Sequence, residues 1–300
     1  MKRLLFSLAV SFMVAKIPAP TTQKEFKTID KNISGLVYDA VDHVYYVASA
    51  RTGAIGKYTP DGKYEMLYSN NDFKMSSALK ITPDGKTLYF CIGEKTSEEN
   101  TNAESTSKTL KLIGIDAQSG KKLAETDLSN LSSGNHFASD LTFDGNGNIY
   151  IADHVSNAIY KVSSGNASLF AKSDQFAEAH KGLNNIVWHP EGFLLANNSS
   201  GSLFKIDISN PKNIQKVTTS NIALNADGLI LNNNNTLTLL QNNNKMKIFQ
   251  LVSNDNWKSA VVNTGISADA IVSNYKEAWV LSPELIDPKP VSNQTSDSEL

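Results

Sequence analysis

Apolar and polar positions alternate over short distances along this chain. The clearest stretch is residues 138–163, ASDLTFDGNGNIYIADHVSNAIYKVS. Leu141–Phe143, Ile149–Ala152 and Ala158–Val162 are apolar runs rich in β-branched and aromatic residues, which suit a pleated, half-buried surface. Between the first two lies Asp144-Gly145-Asn146-Gly147-Asn148, residues that tolerate the left-handed backbone of a tight turn. A second polar turn, His154 to Asn157, precedes the third run. No 3.6-residue period survives here, so the pattern predicts three consecutive strands rather than a helix.

The same unit recurs. Aligned on Leu141, further copies start at Leu36, Leu79, Ile186, Leu229 and Ile271, as in GLVYDAVDHVYYVASARTGAIGKY and GLILNNNNTLTLLQNNNKMKIFQL. Successive starts lie 43, 62, 45, 43 and 42 residues apart. The long interval contains residues 94–109, EKTSEENTNAESTSKT, whose one apolar residue is Ala103, and this predicts a solvated loop insertion. Without it the period is close to 43. Four short strands in a unit of roughly 40–50 residues mark a propeller blade. The pattern therefore predicts an all-β fold, a six-bladed β-propeller of four-stranded blades over residues 22–285, with a disordered polar tail at 286–300. The sixth unit has only two strand-like runs. The segment Glu25-Phe26-Lys27-Thr28-Ile29 is expected to supply its outer strand, closing the ring and removing a free sheet edge. A two-sheet sandwich would leave the constant period unexplained.

Composition narrows the class. A net charge of −2 and a pI near 6.2 argue against a nucleic-acid binder. Lys2 and Arg3 precede an uncharged, mostly apolar run from Leu4 to Ala15, too short to span a bilayer and suited to a signal peptide over residues 1–15. The expectation is an exported protein, periplasmic or extracellular, with no membrane span in the mature chain. Cys91 is the only cysteine and sits in the strand-like run Leu88-Tyr89-Phe90-Cys91-Ile92, where a thiol behaves as a small hydrophobe. No intramolecular disulfide is possible, so the core alone must hold the fold.

In a blade, residues just before strand one and just after strand two share one face of the disc. Two positions before each aligned apolar residue stand Ser34, Ser77, Ser139, Asn184, Asp227 and Asp269. A ring of oxygen-bearing side chains at a channel mouth is what a hard cation such as Ca²⁺ requires, although short polar residues before a strand are also ordinary turn formers. A second rank follows strand two: Ser49 to Arg51, Asp153 and His154, Asn197 and Asn198, and Gln241. Of these, Arg51, Asp153, Asn197 and Gln241, with Ser34, are expected to line a substrate rim. His136 and His180 precede strand one of their units and join His154 on that face, whereas His43 and His189 fall at turns of the opposite face and read as solvated. The spacing of the histidines matches no compact zinc signature. Phosphate-binding glycine loops, H-E-x-x-H and G-x-S-x-G are all absent from the sequence.

The units LTFDGNGNIYIADHVSNAIYKV and NIVWHPEGFLLANNSSGSLFKID, with the ADGLIL stretch, resemble blades of the regucalcin/gluconolactonase family of sugar-lactone hydrolases, and more loosely NHL repeats. The resemblance extends over residues 22–285 and implies a six-bladed propeller with one divalent cation at the channel mouth and hydrolysis of a lactone or related ester. It carries Asn184, in LNNI, and Asp227, in ADGL, onto the family's ligand set. Ser34 stands where the family has Glu and Ser139 where it has Asn, so half of the ligand shell departs from the pattern.

Two functions are thus expected from this face. In the first, Asn184 and Asp227, helped by Asp269 or Ser139, hold Ca²⁺ or another divalent cation that polarises a lactone carbonyl, while Asp227 or His154 takes the proton. In the second, the propeller is not catalytic and its Asn-lined mouth binds a small molecule, a sugar or a protein partner. A lyase using His136, His154 and His180 is a third possibility.

Overall fold

The computed structural model describes residues 33–39, 42–49, 52–59, 63–70, 75–94, 107–180, 182–220, 226–232, 235–241, 247–267, 271–274 and 277–280. Residues 1–15, the segment 25–29, most of 94–109 and the tail 286–300 lie outside them, as do Arg51 and Asp269.

The runs of β-formers separated by Asx-rich turns fold as antiparallel four-stranded sheets in sequence order. The first sheet is β1 (Ile33–Asp39), β2 (Val44–Ser49), β3 (Ile55–Tyr58) and β4 (Tyr64–Tyr68). The second is β5 (Met75–Ile81), β6 (Thr87–Gly93), β7 (Lys111–Asp116) and β8 (Lys122–Asp127). The third comprises β9 (Ala138–Phe143), β10 (Ile149–Asp153), β11 (Ala158–Ser163) and β12 (Asn166–Lys172). A short 3₁₀ helix, Asp174–His180, leads into the fourth, β13 (Leu183–His189), β14 (Phe193–Asn198), β15 (Leu203–Asp207) and β16 (Ile214–Thr219). The fifth is β17 (Ala226–Leu231), β18 (Leu237–Gln241), β19 (Lys247–Val252) and β20 (Ser259–Ser267). A final pair, β21 (Ile271–Asn274) and β22 (Glu277–Val280), follows. The outer strands β16 and β20 pair in parallel through Thr218↔Ser259 and Thr219↔Ala260, joining the fourth and fifth sheets edge to edge.

The turns explain the strand limits. In the Asp144-Gly145-Asn146-Gly147-Asn148 turn, Asp144 Oδ1 accepts the N–H groups of Asn146 and Asn148, both at 2.9 Å, and Gly147 takes φ +77°. Exposed Asp116 and Asp207 perform the same service for the turns after β7 and β15.

Among the described residues the core is divided into several clusters. Inner strands pack in succession, β1 on β5, β5 on β9, β9 on β13 and β13 on β17, with β1 also against β21. Apolar clusters fill the seams between successive sheets. Tyr46, Ile55, Phe90 and Ile113 fill the first seam, and Leu112, Leu141, Ile151 and Tyr160 the second. Tyr150, Ile186, Leu194 and Phe204 fill the third; Leu195, Leu229, Leu239 and Phe249 fill the fourth. Each inner sheet therefore buries both faces. This is why β2, β10, β14 and β18 are buried along their whole length, while the outer β8 and β12 are largely wet. Cys91 is buried in the second seam, as expected of a thiol in that run. Among the described residues no helix is long and apolar enough to cross a membrane.

Candidate functional site

The polar column before strand one has a structural cause. Every inner strand of the first five sheets shifts register at or just after its column residue. The shift lies between Ile33 and Gly35, between Ser77 and Lys80, opposite Ala152 and Asp153, between Leu183 and Asn185, and between Ala226 and Leu229. A β-bulge re-aims the side chain of its extra residue, and here the aim is across the seam. Ser34 Oγ donates to the carbonyl of Ser76, at the foot of the next inner strand. Ser139 Oγ donates to the Leu183 carbonyl at 2.8 Å, and Asn184 Nδ2 to the Ala226 carbonyl at 2.5 Å. In each case the acceptor immediately precedes the next column residue. Ser34, Ser139 and Asn184 thus peg neighbouring sheets together, which is work for a short side chain with a donor.

Asp140, beside Ser139, is a stronger tether. Its Oδ2 accepts the Ile186 N–H at 3.1 Å, and its Oδ1 lies 3.1 Å from Lys80 Nζ. One carboxylate thereby links β9 to both β13 and β5.

The second rank also has local work. Asp153 Oδ1 accepts the N–H groups of Val155 and Ser156, each at 3.1 Å, and Asn198 Oδ1 accepts those of Ser200 and Ser202. Ser49 Oγ accepts the Thr52 N–H in the first sheet. An acceptor at the end of strand two holds the turn into strand three. Gln241 occupies the same place in the fifth sheet, paired with Ala226 and nearly buried. Asp153 is wholly buried, so it does not stand on a rim.

Asn197 is different. Ladder registers align it with Ala48, Cys91, Ala152 and Leu240, all apolar. Here a fully buried amide fills that position and donates through Nδ2 to the same Ala226 carbonyl that Asn184 holds. Turning the amide over would set its oxygen against that carbonyl, so Oδ1 is fixed on the other side. That oxygen, and Oδ1 of the neighbouring Asn185, are buried with no hydrogen-bond donor among the described residues. Buried acceptors of this kind are uncommon, because each forfeits the solvation of a polar group. From the sequence Asn197 is one rim residue among several, and alignment of the repeats is the signal that sets it apart from the others.

The histidines do not form one cluster. His136 is wholly buried, with Nδ1 2.7 Å from Asp153 Oδ2 and Nε2 3.0 Å from the Ser129 carbonyl. His154 is half-buried and donates Nδ1–H to the Leu183 carbonyl at 3.0 Å, with Phe137 set edge-on to its ring. In a neutral ring this makes Nε2 the basic nitrogen. His180 ends the 3₁₀ helix, and its side chain, like that of Asp227, lies outside the described residues. His43 is exposed, as expected. His189 is not solvated but buried against Phe193, with ring centroids 4.2 Å apart, and burial holds its pKa below the usual histidine value.

The oxygen-rich seam between the fourth and fifth sheets has the hard donors that a divalent cation prefers: the amides of Asn184, Asn185 and Asn197 beside the strand carrying Asp227. Among the described residues no three His, Cys, Asp or Glu side chains gather as a ligand set.

No family model matches the sequence, and no curated protein matches it either. Solved structures do resemble it. The structure of a streptogramin B lyase is 13% identical, covers 81% of this chain and 72% of its own, and superposes with a TM-score of 0.58. The major allergen Mala s 1 of Malassezia sympodialis is 18% identical over 78% of each chain, with a TM-score of 0.61. Virginiamycin B lyase from Staphylococcus aureus is 16% identical over 81% of this chain and 86% of its own, with a TM-score of 0.51. These solved structures are β-propellers. At such identities the likeness establishes fold alone: this chain is a β-propeller of four-stranded sheets.

Proposed function

We propose that this chain is an exported six-bladed propeller, its ring closed by the segment 25–29, that binds a small hydrogen-bonding ligand at the seam between its fourth and fifth blades. The observation that carries the reading is Asn197, a wholly buried amide where the other sheets place apolar residues. Together with Asn184 it converges on Ala226, the residue before Asp227. Burying an amide without full pairing costs about 1–3 kcal/mol, a cost that a ligand's donors offset. A thermal-shift screen of sugars, lactones and short peptides tests this, with Asn197→Ala beside the parent. Hits that shift the parent and not the variant are expected; hits shifting both equally would remove the seam from the site.

A second reading, hydrolysis of a lactone or ester, is favoured by the orientation of His154. Asn184 and Asp227, with Ser139 or Asp269, would hold Ca²⁺ or another divalent cation, which when bound polarises a carbonyl. His154 Nε2 would accept a proton from the attacking water, its ring steadied by the Leu183 carbonyl. Calorimetric titration of Ca²⁺, Mn²⁺ and Zn²⁺ into chelator-treated protein decides it. Saturable binding abolished by Asp227→Ala supports this reading, and the absence of saturable binding ends it. His154→Ala with unchanged turnover would remove the histidine from any chemistry, including the lyase.

A further inference from the structure

We propose that His136 and Asp153 form a buried imidazolium–carboxylate latch that clamps the second sheet to the third and opens as the solution becomes alkaline.

Hydrogen-bond chemistry alone requires the charged ring. Nε2 faces the Ser129 carbonyl, which can only accept, so Nε2 carries a proton. Nδ1 lies 2.7 Å from Asp153 Oδ2, and one proton must sit between them. Asp153 already accepts three backbone N–H groups at Oδ1, from Phe137, Val155 and Ser156, and the Tyr160 hydroxyl at Oδ2. Four donors favour the ionised carboxylate, so the shared proton belongs to the ring. Ser156 Oγ gives its own proton to the Asn135 carbonyl and, 3.2 Å from Nδ1, adds a second acceptor for the ring.

The pair sits where several connections meet. The backbone of His136 exchanges two hydrogen bonds with Ser107, at 2.7 and 3.1 Å. Ser107 is buried and its Oγ accepts the Thr109 N–H, fixing the approach to β7. The Ser129 hydroxyl binds Leu110, just before β7. Thus the ring ties the chain entering β7 to the link between sheets, and Asp153 ties the ring to β10.

The charged and titratable groups around it are few. Asp153 comes from β10, Tyr160 from β11, Lys172 from the end of β12, and the Cys91 thiol of β6 lies within the field of Asp153. Burial, with Asp153 beside them, pushes both Tyr160 and Cys91 upward, so neither ionises at neutral pH. The hydrogen bond to Asp153 raises His136 above its ordinary 6.5, against the opposing effects of burial and Lys172. Burial pushes Asp153 upward, but His136 and the backbone donors outweigh it and hold it below its ordinary 3.8. A raised histidine stabilises fully below pH 6.5 and loses that contribution as pH climbs through its folded value. A depressed carboxylate stabilises above pH 3.8 and loses it as pH falls through its folded value. The latch is therefore tightest between those two limits and loosens on the alkaline side as His136 gives up its proton.

The test uses the whole chain with ¹⁵N-labelled histidine. His136 should titrate at a midpoint above 6.5. Across that midpoint, amide protection at Ser107 and His136, corrected for intrinsic exchange, should fall at least tenfold, while Ile151 in the same sheet holds. A His136 that is neutral by pH 6.5, or protection that ignores the midpoint, overturns the proposal. Asp153→Asn should lower the midpoint and bring opening to lower pH; should that variant not fold, the titration of the unaltered chain decides alone.

Discussion

At the scale of single residues, the chain separates polar side chains that build the fold from those with nothing structural to do. Ser139, Ser34 and Asn184 each give a donor to a neighbouring sheet, and Asp153 and Asn198 hold turns. Removing any of them takes away a contact that the fold uses, so loss of stability would say nothing about function. Asn197 is the residue where the two can be told apart. Asn197→Ala installs the residue that Ala48 and Ala152 already provide in equivalent seams. Its stability should stay within about 1 kcal/mol of the parent, since both the amide and its orphaned oxygen go together. Binding of a seam ligand should fall at the same time. A large drop in denaturant midpoint would instead make the amide a structural peg. Residue types were legible in the sequence here, but roles were not. Asp153 and His136 read as rim residues because their positions lie at the mouth, yet their partners turn them inward.

Among the elements, strand limits follow local chemistry closely. The run Ile149–Ala152 became β10, Ile149–Asp153, and Ala158–Val162 became β11, Ala158–Ser163, because Asp144 and Gly147 force the turn before β10 and Asp153 holds the turn between the two strands. The bulges were not legible, since a one-residue register shift depends on which partner strand stands opposite. Nor was the parallel pairing of β16 with β20, which joins two outer edges far apart in sequence. Packing of one element on another gives a sharp prediction at Gly120, in the turn between β7 and β8. It has φ +69°, and a Cβ there would lie 1.9 Å from the Leu67 carbonyl oxygen of β4. Gly120→Ala should cost on the order of 2 kcal/mol or more, from left-handed strain added to a clash with backbone. An unchanged melting temperature would mean that the first and second sheets part there at no cost.

For the whole molecule, the seams set the stability, because every sheet needs a neighbour on each face. The first sheet meets β21 on one side, and among the described residues β21 and β22 form a two-stranded sheet. If segment 25–29 completes that last blade, a chain beginning at residue 33 should melt well below one beginning at residue 16, while removing 1–15 alone should leave the melting temperature unchanged. Equal melting of the two shortened chains would refute closure by that segment. The period near 43 residues, the alternation within each unit and the Asx turns by themselves determined an all-β repeat of four-stranded sheets, since these depend on near neighbours in the chain. Tertiary structure alone decided which polar residues cross a seam, which turn into a buried pair, and that Asn197 meets Asn184 at Ala226. Those outcomes depend on groups 17 to 44 residues apart brought together by packing, and no local pattern encodes them.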